Sequence, residues 1–198
     1  LKVVLTNYPE DQLEELQAPA HPSRQELGSR MLPFTRELVI DADDFREEAN
    51  KKFKRLVIGK RVRLRNAYVI EADAAVKNEA GEIVEVHARV IENTVGNDPE
   101  DGVKPKGVVH WVSASAGVEV ELRLYDRLFT EESPGNGVDD FLEHLNRDSL
   151  LVKTGCLAEP GLVSAQAEQN FQFEREGYFV ADRQDHSSDK LVFNKTIG

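Results

Sequence analysis

The side chains with the clearest chemical potential are eight cations in the stretch Asn50–Ile70, which contains no acidic residue. The whole chain has 25 lysines and arginines against 36 acids, a formal net charge of -11. Without these eight, 17 bases would face the 36 acids. An acidic protein therefore keeps one concentrated positive segment, the basic window. Its cations are Lys51, Lys52, Lys54, Arg55, Lys60, Arg61, Arg63 and Arg65.

The second half of the basic window has the period of a β-strand. Arg61, Arg63 and Arg65 flank Val62 and Leu64, and alternate side chains of a strand point to opposite faces. The two apolar residues should enter a core while the three arginines, the arginine row, line the other face. The planar guanidinium suits phosphates and base edges, so we expect the row to bind nucleic acid, RNA in particular. The alternative is a solvated face whose arginines pair with nearby acids.

Length and composition limit the other possibilities. A chain of 198 residues, 40% of them hydrophobic, can form one large or two small domains. No apolar run approaches the roughly 18 to 20 residues of a membrane span, so no membrane partner is expected. The single cysteine, Cys156, fits a reducing, cytoplasmic location. Because the chain starts at Leu1 and its one methionine is Met31, we expect a piece of a longer protein.

No catalytic or metal site is predicted. The five histidines lack ligand spacing, and Cys156 has no cysteine partner. The sequence has no G-x-S-x-G motif, and Gly102–Val108 lacks the Lys-Ser/Thr pair of a phosphate-binding loop. His110-Trp111 is a possible base-stacking pair, although a tryptophan between valines of a strand more often lies in a core.

The pattern of short strands and turns predicts an all-β protein, built as barrels or sandwiches. A hairpin is expected around Asn78–Gly81, and a short helix over Phe45–Phe53 with Asp43 or Asp44 as its N-cap. Residues 8–25 are predicted to be a loop. The other predicted strands are 1–7, 37–41, 61–76, 83–91, 108–113, 118–125, 150–152, 171–173, 178–180 and 191–193, with a second short helix at 139–145.

Several stretches together resemble the C-terminal, anticodon-binding half of bacterial glutaminyl-tRNA synthetases, and the resemblance covers essentially the whole chain. The stretches are DFREEANKKFKRLVIGKRVRLRNAYVI (44–70), KGVVHWVSA (106–114), VEVELRLYDRLF (118–129) and FQFEREGYFVAD (171–182).

The resemblance implies two tandem β-barrels related to a ribosomal-protein barrel, approximately residues 1–110 and 111–198. Whether the second barrel shares strands with the N-terminal segment is left open. It implies that the partners are the anticodon loop of glutamine tRNA and a catalytic domain in the same parent chain. That domain, in the family, joins glutamine to tRNA with ATP and magnesium and carries HIGH and KMSKS motifs. Neither motif occurs here, so we expect a non-catalytic module of a glutamine–tRNA ligase that itself holds no cofactor.

The resemblance also implies specific tRNA contacts. Val108 matches a position that touches the first anticodon base. Two matches depart from the family pattern, because Lys52 replaces a glutamine and Ser23 replaces an asparagine, and an arginine upstream of the first barrel is missing. The implied binding residues are Lys52, Lys54, Arg55, Arg63, Arg65, Val108, Gln172 and Arg175.

Two other functions stay open: the equivalent half of a related glutamyl-tRNA synthetase, and a ribosomal-type β-barrel that binds structured RNA without anticodon specificity. For the anticodon function we further expect Gln172 and the arginine row to line one continuous groove. Phe171 and Phe173 should point into the second barrel and leave Gln172 on the opposite face.

Overall fold

A computed structural model describes residues 1–197 of the chain, and of Ile197 the backbone only. Gly198, the last residue of the predicted second barrel, lies outside the described residues. The chain divides into two compact units. The first comprises Leu1–Gly117 together with the short segment Glu159–Gly161. The second comprises Val118–Ala158 and the described residues from Leu162 onward.

The first unit is built on a curled seven-stranded sheet with strand order β10-β7-β8-β9-β1-β4-β11. A two-stranded sheet, β2-β3, and the short parallel pair β5-β6 complete it. The strands are β1 (Lys2–Leu5), β2 (Glu14–Pro19), β3 (Ser29–Phe34), β4 (Glu37–Val39), β5 (Phe45–Arg46), β6 (Leu56–Val57), β7 (Arg61–Leu64), β8 (Val69–Lys77), β9 (Ile83–Ile91), β10 (Val108–Val109) and β11 (Val112–Ser113).

Alternating apolar residues of the strands form the core of the first unit. Val62 and Leu64 of β7 are fully buried, as predicted, and pack in one cluster with Phe34 and Trp111. The predicted hairpin is confirmed, since β8 and β9 pair antiparallel across the turn at residues 78–82. The arginine strand ends at Leu64 and turns back through Asn66 instead of continuing to residue 76.

The second unit contains a five-stranded sheet with order β13-β12-β16-β15-β14. Phe171 and Phe173 pack against a buried cluster that includes Phe179 and Phe193, as predicted. The predicted helix near residue 140 is a 3-10 helix, Phe141–His144, capped by the Asp140 carboxylate. The strands are β12 (Val118–Tyr125), β13 (Leu150–Ala158), β14 (Asn170–Phe173), β15 (Gly177–Ala181) and β16 (Val192–Ile197).

The all-β prediction is confirmed, whereas the predicted helix over Phe45–Phe53 is wrong. Phe45 instead pairs with Leu56 in the β5-β6 ladder, and both are buried. Asp44, expected to cap the helix, lies at the end of a 3-10 turn and accepts a hydrogen bond from Arg55. Acids followed by lysines are a weak helix signal, and burial of two large apolar side chains overrides it.

Two further predictions need correction. Residues 8–25 are not all loop, because β2 pairs antiparallel with β3 and buries Leu16 and Ala18. The predicted strand 108–113 is broken in two: β10 pairs with β7, while β11 pairs with β4. Within residues 1–197, no helix reaches the length and apolarity that crossing a bilayer requires.

Candidate nucleic-acid interface

Arg61 is engaged by acids of its own unit. Its Nε donates to Glu71 at 2.7 Å and its Nη1 to Asp101 at 2.8 Å, and the side chain is 13% exposed. Hydrogen bonds, first with Asp101 and then with Glu71, raise the pKa of Arg61. Arg61 is therefore an arginine paired with nearby acids, the alternative to an RNA contact. Its hydrogen bond to Asp101 positions the loop that carries this residue.

Arg63 is turned toward the loop that follows β9. Its Nη1 donates to the carbonyls of Ala67 and Thr94, and its Nη2 donates to the carbonyl of Asn97 at 2.6 Å. The carboxylate of Asp98 lies 3.6 Å from Nη2. The Arg63 guanidinium therefore holds this loop by the backbone carbonyls of Thr94 and Asn97.

Arg65 is the exposed member of the row. Its backbone is fixed on both sides, because its N–H donates to the Val109 carbonyl at 2.9 Å and its carbonyl accepts from the Trp111 indole at 2.9 Å. Trp111 is 4% exposed and packs edge-on against Phe34, so the core interpretation of this tryptophan is confirmed. The core thus positions Arg65 while the side chain reaches solvent.

An open pocket of about 370 Å³ lies beside Arg65. The exposed Val108 reaches it from β10, whose parallel register with β7 sets Val108 beside Arg63. Three of the implied binding residues are thereby brought together. The residues that line the pocket are Arg63, Arg65, Asn66, Ala67, Gly96, Asp98 and Val108.

The lysines of the basic window are presented by a turn. The Asn50 side chain accepts from the Lys52 N–H at 2.9 Å, and Lys52 and Lys54 are exposed. Arg55 is different, because its Nε donates to the fully buried Asp44 carboxylate at 3.0 Å. We therefore assign Arg55 a large structural part in holding this turn.

Gly107 joins the turn to the pocket. A Cβ built on Gly107 would lie 2.0 Å from the Lys54 carbonyl oxygen, so this close approach requires glycine. The neighbouring N–H of Lys106 donates to the Arg61 carbonyl at 2.8 Å. The two halves of the basic window, separated in sequence by Gly59, therefore meet across the segment 106–108.

The second unit holds the remaining implied residues on one hairpin. Gln172 is exposed on β14, opposite Tyr178 of β15, and Arg175 is exposed in the connecting turn with φ 66°. Residues directly opposite each other in an antiparallel pair share a face. Tyr178, 52% exposed, is therefore an aromatic neighbour of the Gln172 amide.

Sequence reasoning missed Asp98 and Tyr178. Nothing in the sequence marks Asp98, because only the folded loop after β9 brings its side chain close to the arginine row. The sequence gives a weak indication of Tyr178, because it is an aromatic residue at a strand position whose side chain should face away from the core. Among residues 1–197 no group of histidines, cysteines and acids is arranged to hold a metal ion.

Two family models match the chain, both described as tRNA synthetases class I (E and Q), anti-codon binding domain. One matches residues 1–91 and the other residues 108–182. The pocket draws on both matched regions, since Arg63 and Arg65 lie in the first and Val108 begins the second.

The chain is also similar over its full length to curated proteins named glutamine–tRNA ligase. It is 54% identical over 198 residues to that of Aliivibrio fischeri, strain MJ11, and covers 36% of it. It is 55% identical over 199 residues to that of Ectopseudomonas mendocina, again covering 36%. With the protein of Cronobacter sakazakii it shares 52% over 198 residues and covers 35%. The chain thus spans about a third of the length of these relatives.

Proposed function

The chain belongs to the anticodon-binding domains of class I tRNA synthetases (E and Q), and we propose that it recognises the anticodon loop of glutamine tRNA within a glutamine–tRNA ligase. The observation that carries the proposal is the pocket beside Arg65. Arg63, Arg65 and Val108, which the resemblance assigns to the anticodon, all line it.

The pocket has the chemistry that an unstacked RNA base requires. Single-stranded loops are recognised through base edges and faces that a helix would hide. Arg65 offers donors for a base edge, and Val108 offers an apolar contact for a base face. We assign the first anticodon base to this pocket, in keeping with the position of Val108.

The lysine turn supports a second role, contact with phosphates. Lys52 and Lys54 are exposed point charges on flexible stems, suited to phosphates that position the RNA without specifying sequence. Arg55 contributes by holding the turn through Asp44. Asp44 and Arg55 together therefore fix where the lysines meet the backbone.

The hairpin of the second unit supplies the remaining contacts. Gln172 and Arg175 offer an amide and a guanidinium for base edges, and Tyr178 offers a ring on which a base can stack. A base held by an amide and an aromatic face is bound in a sequence-selective way.

The parent activity is part of the same proposal. A glutamine–tRNA ligase joins glutamine to its tRNA with ATP, and we assign the ATP and magnesium chemistry to a catalytic domain elsewhere in the parent chain. The proposed location is the cytoplasm, where the tRNA is charged. In this proposal the 198-residue chain selects the tRNA and the catalytic domain carries out the reaction.

Competition binding tests the proposal. Labelled glutamine tRNA is bound to the chain and displaced by an isolated anticodon stem-loop of glutamine tRNA, of glutamate tRNA, or by a ribosomal RNA hairpin. We expect only the glutamine stem-loop to compete well. Preference for the glutamate stem-loop would indicate the glutamyl-tRNA synthetase function, and equal competition by the ribosomal hairpin would indicate a general RNA-binding barrel.

Gln172→Ala and Tyr178→Ala should each weaken binding of the glutamine tRNA stem-loop without weakening any binding of the ribosomal RNA hairpin. The same chain should give only background ATP–pyrophosphate exchange with glutamine and tRNA. Robust exchange would contradict the assignment of catalysis to another domain.

A further inference from the structure

The pocket beside Arg65 contains one group that a phosphate site would exclude. Asp98 presents its carboxylate to the same space as Arg65 and Val108. A carboxylate accepts hydrogen bonds and repels phosphate, whereas it pairs readily with an N–H donor. The lining therefore combines an apolar wall, a cationic donor and an anionic acceptor, which suits a base edge better than a phosphate.

Arg63 forms an ion pair with Asp98 but donates no hydrogen bond to it. The donors of Arg63 are directed to the carbonyls of Ala67, Thr94 and Asn97. The separation of 3.6 Å between its Nη2 and Asp98 Oδ1 is too long for a hydrogen bond. Asp98 Oδ1 therefore keeps acceptor capacity beside the pocket.

The second oxygen of Asp98 faces the rim. Asp98 Oδ2 lies 3.2 Å from Lys104 Nζ, and the Lys104 side chain is 77% exposed. Such an exposed pair is weak and readily exchanged. The Asp98 side chain, 58% exposed, is thus held near the pocket by loop geometry and remains accessible to a ligand.

We propose that Asp98 is a specificity-determining residue, whose carboxylate accepts a hydrogen bond from an N–H on the edge of one unstacked anticodon base. This assignment rests on the proposed anticodon function. Arg65 then meets an acceptor on the same base, and Val108 contacts its face. Arg63 acts as a positioning residue, because it holds the loop that carries Asp98.

The test is a double-mutant cycle, in which one protein side chain is substituted and one RNA base is removed, separately and together. Anticodon stem-loops of glutamine tRNA are made with the base removed at each anticodon position in turn. Binding is measured for the unaltered chain, for Asp98→Asn, and for the matched control Asp101→Asn. Asp101 belongs to the same loop and carries the same charge, but it pairs with Arg61 and does not line the pocket.

We expect removal of one particular base to weaken binding by about tenfold or more in the unaltered chain and in Asp101→Asn, as for a hydrogen bond to a charged group. In Asp98→Asn the same removal should cost several-fold less. Equal losses in all three proteins at every position would overturn the proposal.

A second measurement leaves the protein unaltered. The base at the sensitive position is replaced by a form whose edge N–H groups are methylated, and binding should fall about as far as when the base is absent. Full binding of the methylated base would also overturn the role of Asp98. If the unaltered chain binds none of the stem-loops, the anticodon function itself fails, which is a different outcome from loss of the Asp98 coupling alone.

Discussion

Arg63, in β7, and Arg65, directly after the end of that strand, have different structural environments. The guanidinium of Arg63 is bonded to three backbone carbonyls. Arg65 has an exposed side chain, and its backbone is bonded to Val109 and Trp111. Strand periodicity predicts the face of a side chain but not how far a neighbouring loop covers it. Arg63 should therefore matter to folding as well as to RNA, and Arg65 chiefly to RNA.

Arg63→Ala is expected to lower the free energy of unfolding of the first unit by about 1–3 kcal/mol, because the carbonyls of Ala67, Thr94 and Asn97 lose a charged donor. Arg65→Ala should change it much less. Urea unfolding followed by the fluorescence of Trp111, the one tryptophan, reports on this unit. If the two substitutions destabilise equally, the loop is not held by the Arg63 side chain.

At the scale of elements, the sequence predicted what depends on local pattern. The β8-β9 hairpin, the alternating strand β12 and the two strands that flank Arg175 follow from turn residues and period-two alternation. The predicted helix over Phe45–Phe53 is wrong, and the predicted loop over residues 8–25 is wrong where β2 forms, because pairing with distant partners decides both. The contact between Gly107 and Lys54 belongs to the same class, since only the folded chain brings these segments together.

Gly107→Ala tests that contact. The added methyl group meets a backbone oxygen, so the segment 106–108 or the lysine turn must shift, and we expect destabilisation together with weaker tRNA binding. Gly161→Ala is the control, because nothing lies within 4 Å of its Cβ position. If Gly107→Ala binds tRNA with unaltered affinity, the position of the lysine turn does not matter for tRNA binding.

The segment Glu159–Gly161 is attached to the first unit by an ion cluster. Arg30 donates to both oxygens of the Glu159 carboxylate, at 2.6 and 3.1 Å, and His110 lies 3.6 Å away. Burial alone raises the pKa of Glu159, but the interaction with the nearby His110 and the hydrogen bonds from Arg30 outweigh it and lower the pKa to about 2. The ionised carboxylate is therefore the form that the fold stabilises.

The stability supplied by Glu159 should be present above its unfolded pKa of about 4.3 and be lost as the pH falls toward about 2. Glu159→Gln should thus be less stable than the unaltered chain at pH 7, with the difference shrinking between these two values. Unfolding followed by Trp111 at several pH values measures it. The exposed Glu79→Gln is the control, and a difference independent of pH would refute this linkage.

For the whole molecule, the net charge of -11 opposes association with tRNA at long range. Binding must therefore depend on the local field of the basic window, where Lys51 and Lys60 are exposed. Arginines committed to internal acids, such as Arg61 and Arg123, add little to that field. The number of phosphates neutralised should be small and countable from the salt dependence of binding.

Lys51→Ala and Lys60→Ala should each weaken all tRNAs about equally, because phosphate contacts carry no sequence information. Each should also reduce the slope of log K against log salt by about 0.7–0.9, the counterions released by one phosphate contact. Lys190→Ala removes the same charge outside the basic window, where the lysine pairs with Glu121 at 3.0 Å, and should leave the slope unchanged. Arg65→Ala should instead alter the preference among anticodons. If Lys51→Ala, Lys60→Ala and Arg65→Ala all reduce the slope and leave the anticodon preference unchanged, the basic window binds phosphates alone. The selection of glutamine tRNA would then have to come from the hairpin that carries Gln172 and Tyr178.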